Sequence, residues 1–288
     1  MRFDPARLLA MPPRETTAAH DARDVMLYAL GVGVGSDEPG GDEALSFAYE
    51  PRLAVLPTMA AVLAWPGFWL AEPQYGVDWK RVLHGEQSIR VHHPLPVAAV
   101  LTSRLVIEDI FDKGADKGAV MCTRREIRDA ASGLHLATEL RTAFLRGDGG
   151  KGGRTDATPS PHAMPARPAD AAVALATRAD QALLYRLSGD RNPLHADPEI
   201  AAAAGFSAPI LHGLCTYGVA GRALLRVLCG NHTARFRRMD CRFSAPAYPG
   251  ETIVTEIWNE GPGRAAFRAK SGERDVVVLN NGYVEFDA

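Results

Sequence analysis

"HGLCTYGVAGRALLRVL", residues His212 to Leu228, decides how the chain is read. Leu214, Tyr217, Gly221, Leu224, Leu225 and Leu228 recur at helical spacing and predict one long amphipathic helix whose apolar stripe is core. Gly218 and Gly221 each cost about 1 kcal/mol relative to Ala inside a helix, so their presence predicts close approach of a sheet. Strand-like runs follow in "MDCRFSAPAYPG" (239–250), "TIVTEIW" (252–258), "AAFRAK" (265–270) and "VVVLNNGYVEF" (276–286). One helix followed by antiparallel strands is an α+β pattern in which the sheet covers the helix.

The pattern occurs twice. Upstream, "DVMLYALGVG" (24–33) precedes a buried helix expected over roughly Thr58 to Trp65, then "HGEQSIRVHHPLP" (84–96) and three more strand-like runs ending at "LATELRTAFLR" (136–146). Downstream, "DQALLYRLSGD" (180–190) leads into the long helix and its strands. Between the halves, Gly147 to Asp170 is rich in Gly, Pro, Ser and Ala without apolar period and reads as a linker. The expected organisation is an N-terminal half at 1–146, a linker at 147–170 and a C-terminal half at 171–288.

Composition removes several classes of function. A net charge of −2 over 288 residues leaves no basic footprint for nucleic acid. Cys122, Cys215, Cys229 and Cys241 show no CxxC spacing, which argues for packing thiols in a reducing compartment rather than zinc. The uncharged run Leu53 to Ala71 has about the length of a membrane span, yet Pro57, Pro66 and Gly67 break it into pieces too short to cross a bilayer. The N-terminus lacks a signal-peptide pattern, so the expectation is a cytoplasmic protein with no membrane partner. "GVGVG" (31–35) is followed by the acidic "SDEPGGDE", which would repel a dinucleotide pyrophosphate. No G-x-S-x-G, P-loop or H-E-x-x-H motif occurs.

The chemistry is concentrated in "YRLSGDRNPLH", Tyr185 to His195. Asp180 is expected to cap a short helix through Leu187, and Asp197-Pro198 to open another that ends near Gly205. Asp190, Asn192 and His195 then share a loop that can turn all three side chains into one space. A carboxylate and an imidazole within reach of one water form an acid–base pair, with Asn192 orienting either partner. The same residues would also serve as turn formers and a loop histidine. Next comes "APILHGL" (208–214), which sets Gly213 at the start of the long helix, where free N–H groups can bind a thioester oxygen. His212 reads as a packing or capping residue.

The stretch "YRLSGDRNPLHADPEIAAAAGFSAPILHGLCTYG" closely resembles the signature of the MaoC-like family, specifically the two-hotdog (R)-specific enoyl-CoA hydratase 2. "LHGEQ", "TAFLRGDGG" and "RFSAPAYPGE" resemble weaker landmarks of that family. The resemblance implies a double hotdog fold, two antiparallel sheets each wrapped on a long helix; the halves are expected to pair internally as a pseudo-dimer and then to form a homodimer. It implies reversible hydration of trans-2-enoyl-CoA to (R)-3-hydroxyacyl-CoA, with Asp190 and His195 as catalytic pair, Asn192 assisting and the Gly213 N–H as oxyanion hole. No metal or cofactor is implied beyond the coenzyme A of the substrate. Where the family often has an aromatic among the glycines after Arg146, this chain has Lys151.

Aligning Tyr28-Ala29-Leu30 with Tyr185-Arg186-Leu187 puts Gly33 opposite Asp190, so the first half lacks the acid–base pair and is expected to accommodate a medium, long or bulky acyl tail. His84-Gly85-Glu86-Gln87 is expected to bridge the halves. In "ARFRRMDCR" (234–242), Arg235 and Arg237 should share one strand face and Arg238 and Arg242 the other, as a solvated run. Alternative readings are a 3-hydroxyacyl carrier-protein dehydratase, a hotdog thioesterase and a non-catalytic acyl-CoA binding protein.

Overall fold

The period-two alternation in both halves yields ten strands in the computed structural model, which describes residues 2–288. In chain order the elements are α1 (Pro5–Leu9), β1 (Arg14–His20), α2 (Ala22–Gly31), α3 (Asp42–Ala48), β2 (Val82–Val91), β3 (Ala99–Asp112), β4 (Ala119–Asp129) and β5 (His135–Leu145). They continue with β6 (Ala171–Ala176), α4 (Gln181–Tyr185), α5 (Pro198–Ala203), α6 (Gly213–Cys229), β7 (Phe236–Phe243), β8 (Thr252–Asn259), β9 (Arg264–Ser271) and β10 (Val276–Phe286). No helix is long and apolar enough to cross a membrane among the described residues.

The expectation of two sheets is corrected to one ten-stranded antiparallel sheet in the order β1-β3-β4-β5-β2-β7-β10-β9-β8-β6. Reading inward from either edge gives the same order of strands, so the repeat is preserved in three dimensions. The halves meet where β2 pairs with β7 through the register Glu86↔Arg242 to Arg90↔Arg238. Open edges attract other strands, and joining two sheets edge to edge removes a pair of them. The junction is reinforced by Glu86–Arg242 at 2.7 Å and by the Ser88 hydroxyl donating to Asp240 at 2.6 Å. The bridging expected of the His84 segment is thus a strand pairing. The fold is α+β, a double hotdog.

Only the second half has a long helix. At Thr58 to Trp65, where a helix was expected, the chain forms a short 3₁₀ turn at Pro57–Ala61 and then irregular backbone, with Ala64 at φ +46°. The reason lies far away in sequence. Arg125, 1% exposed, donates to the carbonyls of Ala60 (3.0 Å), Ala61 (3.3 Å) and Leu63 (2.5 Å), and Ser103 donates to that of Ala64 at 2.7 Å. Carbonyls engaged by a guanidinium do not need an i+4 amide partner, and the segment stays uncoiled.

Helix α6 is as expected a core element, with Tyr217, Leu224 and Leu225 buried. Its two glycines admit different neighbours from the predicted sheet. A Cβ on Gly218 would collide with Val32, and one on Gly221 with Thr58, both from the first half, while Met239 on β7 lies 3.5 Å from the Gly221 position. Arg222, its side chain fully buried, completes the contact by pairing with Glu43 (2.8 Å) and Asp37 (3.2 Å) and donating to the Val32 carbonyl. The acidity after "GVGVG" is therefore taken up by α6.

Candidate active site

Two short helices hold the loop that carries the motif. Helix α4 ends at Tyr185, earlier than expected, and continues as a 3₁₀ turn over Arg186–Ser188 before Gly189 turns left-handed at φ +120°. Asp180 sits at its N-cap without a side-chain capping bond, because its carboxylate pairs with Arg178 at 2.8 Å. Pro193 opens the next turn, Pro193–His195, capped by the Asn192 side-chain oxygen accepting the Leu194 N–H at 3.1 Å. Asp197 caps α5 as expected, and Gly205 beyond it has φ +87°. These turns bring Asp190 and His195 together. Asn192 contributes its own N–H, which donates to the Asp190 carboxylate at 3.1 Å.

The third member of the cluster is His212, for which the sequence predicts only a packing or capping role. His212 stacks on His195 with ring centroids 3.7 Å apart and 27° between planes, and its Nε2–H donates to the Asp190 backbone carbonyl at 3.1 Å. Donor atoms of Asp190, His195 and His212 all lie within 4.8 Å of one another, close enough for one small molecule to touch all three. The signal that could have revealed His212 was its place next to Gly213, one residue before the helix.

Hydrogen bonds fix the tautomers. His195 Nδ1–H donates to the Ile210 carbonyl at 2.8 Å, which leaves Nε2 with its lone pair. Burial is the main cause that holds His195 below its ordinary pKa, and it takes His212 down to about 4 with help from the charge His195 would carry. Both rings are thus neutral near pH 7. Asp190 and Asn192 are exposed, while His195 and His212 are 8% and 1% exposed, so the cluster spans the boundary between solvent and interior.

A stability consequence follows from the same shifts. In the unfolded chain these histidines protonate near their ordinary value of about 6.5, whereas the folded protein resists protonation. Stability is then fully present above about pH 6.5 and is lost progressively as the pH falls toward 4. The melting temperature should fall over that interval, and His212→Asn should flatten the slope; a slope unchanged by the substitution would separate it from this ring.

Behind the cluster, Tyr185 lies 5.0 Å from His212 and 6.1 Å from Tyr28, which ties the loop to the first half. In front, Gly213 begins α6 with no side-chain cap, so the first-turn N–H groups have no partner within the helix. A Cβ at Gly213 would lie 3.1 Å from the Phe243 ring, and Phe243 in turn packs on His84 at 4.5 Å. The site is therefore floored by the second half and walled by β2 of the first. Lys151, in place of the aromatic that the family resemblance leads one to expect, pairs with the buried Asp148 at 2.7 Å. The arginines of 234–242 bind acids instead of facing this site: Arg237 pairs with Asp287, Arg238 with Asp240 and Glu285, and Arg242 with Glu86. Arg235 lies in a 3₁₀ turn before the strand, so the expected face pairing with Arg237 does not form.

Comparison with known proteins agrees with this architecture. Residues 161–282 match the MaoC like domain family, and residues 19–147 match the MFE-2 hydratase 2 N-terminal domain family. The chain is 45% identical to 3-hydroxyacyl-thioester dehydratase Y of Mycobacterium tuberculosis over 271 residues, 92% of either chain. It is 38% identical to the peroxisomal enoyl-CoA hydratase 2 of Arabidopsis thaliana, over 98% of this chain and 95% of that one. The crystal structure of a MaoC-like dehydratase from Phytophthora capsici superposes with a TM-score of 0.87 at 34% identity, over 98% of this chain and 97% of that one. The chain belongs to the MaoC-like hydratase and dehydratase family, in its double-hotdog hydratase 2 form, and is a hydro-lyase.

Proposed function

We propose that the protein adds water reversibly across the double bond of a trans-2-enoyl-CoA to give the (R)-3-hydroxyacyl-CoA. The observation that carries this reading is the convergence of Asp190 and His195 before the uncapped start of α6. Water held between the two loses a proton to one of them as its oxygen bonds to C3, and that same proton is then passed to C2, so the pair ends the turnover as it began. The Gly213 N–H takes the negative charge that builds on the thioester oxygen, a contact whose loss typically costs about 2.7–4 kcal/mol of transition-state stabilisation. Protons and one water balance the reaction, so the reading calls for no redox cofactor.

The division of labour in the proposal gives the catalytic groups to residues 171–288 and the tail to a groove shared with residues 1–146, joined by 147–170. An open cavity of about 730 Å³ supports it, its apolar part lined by Leu30, Val34, Leu45 and Tyr49 of the first half and Leu183 and Leu187 of the second, with the Arg178–Asp180 pair also in its wall. Leu187 precedes Asp190 by only Ser188 and Gly189. Filling the groove with Leu45→Trp should lower kcat/KM for a ten-carbon enoyl-CoA at least about tenfold while sparing crotonyl-CoA. Equal effects on both chains would place the tail elsewhere.

The test of the reaction is to mix the protein with crotonyl-CoA and longer enoyl-CoA esters, following absorbance of the conjugated thioester together with free thiol. Loss of absorbance without thiol supports hydration. Thiol release would instead indicate a thioesterase, and no change with any coenzyme A ester would refute the reading.

A further inference from the structure

Four cations of the first half share one concavity. Arg81, Lys113, Lys117, Arg146, Phe144 and the single acid Asp116 line an open cavity of about 540 Å³ at the end of β2 and β5, beneath the β3–β4 turn. Among the described residues Lys113, Lys117 and Arg146 form no ion pair, and Arg81 reaches only Asp78, at 4.0 Å. The contrast is with the basic run of β7, where Arg237, Arg238 and Arg242 are each neutralised by a carboxylate. Lys113 also lies over the Phe111 ring at 5.3 Å, but four cations lining one cavity against one acid repel one another unless an anion joins them.

The cavity is also built rigidly. The Asp112 carboxylate accepts N–H groups from Gly114 (2.9 Å), Gly150 (2.8 Å) and Gly152 (3.1 Å), which ties the lysine turn to the glycine loop that follows Arg146. Gly118, at φ +88°, presses against the strand end; a Cβ there would lie 2.5 Å from the Leu145 carbonyl oxygen and 2.9 Å from Arg146 Cα. Any side chain at Gly118 would push Lys113 and Lys117 away from Arg146. A concave wall of this size receives a compact, multiply charged group more readily than the flat acidic face of a partner protein.

From Arg81, β2 runs three residues to His84, about 10 Å at strand rise. The His84 ring packs on Phe243, which covers Gly213. The cavity and the first-turn N–H groups of α6 therefore lie at two ends of one short path. We infer that this cavity binds phosphoryl groups, and that those groups belong to the nucleotide of the thioester substrate, whose pantetheine arm runs along β2 to the site. The second part of the inference rests on the proposed hydration of coenzyme A esters. The first part does not.

The test compares wild type with the Lys113→Ala/Lys117→Ala variant on crotonyl-CoA and on crotonyl-pantetheine, which lacks the nucleotide. Titration calorimetry with adenosine 3′,5′-bisphosphate and with pyrophosphate runs alongside. The variant should raise KM for crotonyl-CoA about tenfold with kcat held, change the pantetheine ester less than about twofold, and lose bisphosphate binding. Lys117→Glu should deepen the loss, and matching thermal melts would show that the exposed turn still folds. Equal effects on both esters, or none, would overturn the substrate assignment. So would pyrophosphate binding without any change in KM, or an effect confined to carrier-protein thioesters. If wild type hydrates neither ester, the hydration reading fails by itself, and calorimetry alone then decides whether phosphate binds here.

Discussion

Asp190→Asn should lower kcat for enoyl-CoA hydration by about a thousandfold or more while leaving the fold intact. The substitution keeps the shape and the oxygen that accepts the Asn192 N–H at 3.1 Å, so the turn persists. Because the residue is exposed, the change in stability should stay within about 0.5 kcal/mol. What disappears is the group that exchanges a proton with the bound water, and positioned proton transfer contributes about 10²–10⁴ in rate. His195→Gln should fall into the same range. If both side chains serve one water, the double variant should be scarcely worse than either single one, since groups acting as a unit lose their effect together. Turnover by absorbance, with circular dichroism melts as control, checks this; near-normal rates in Asp190→Asn would remove the residue from the mechanism.

The second large effect is structural. Arg125→Met should destabilise the protein by about 3–5 kcal/mol, the usual cost of leaving one member of a buried pair alone. Arg125 and Glu139 are 1% and 2% exposed in their side chains and meet at 2.7 Å. Glu139 would keep only Gln87 at 2.9 Å and Arg141 at 3.5 Å, and three backbone carbonyls between Ala60 and Leu63 would lose their donor. The melting temperature should drop by roughly 10 °C. Adding Glu139→Gln removes the uncompensated charge and should restore part of the loss. A melt within 2 °C of wild type would show that the segment 57–65 holds its path without the guanidinium.

These two sites differ in how far the chain announces them. Around Asp190 the cues are local: Gly189 at the left-handed turn, Pro193 opening a turn, and Asp197 before Pro198 all act within a few residues, and a linear reading reaches them. Arg125 acts on residues some sixty positions earlier, which no local pattern encodes. The apolar run from Thr58 to Trp65 has a helix's composition, yet its backbone is irregular and a distant cation occupies its carbonyls. Asp180 shows the same contest in miniature, its capping role lost to the neighbouring Arg178.

By itself the sequence determined the repeat, the long α6, the turns of the 185–205 loop and the absence of the motif from the first half, because periodicity and turn chemistry are properties of neighbouring residues. The tertiary structure alone decided that both halves share one sheet, that His212 stacks on His195, and that the arginines of β7 are neutralised while Lys113, Lys117 and Arg146 are left to face a cavity. Those outcomes depend on which charges and strand edges meet across the fold, and pairing of that kind is fixed only when the chain has closed on itself.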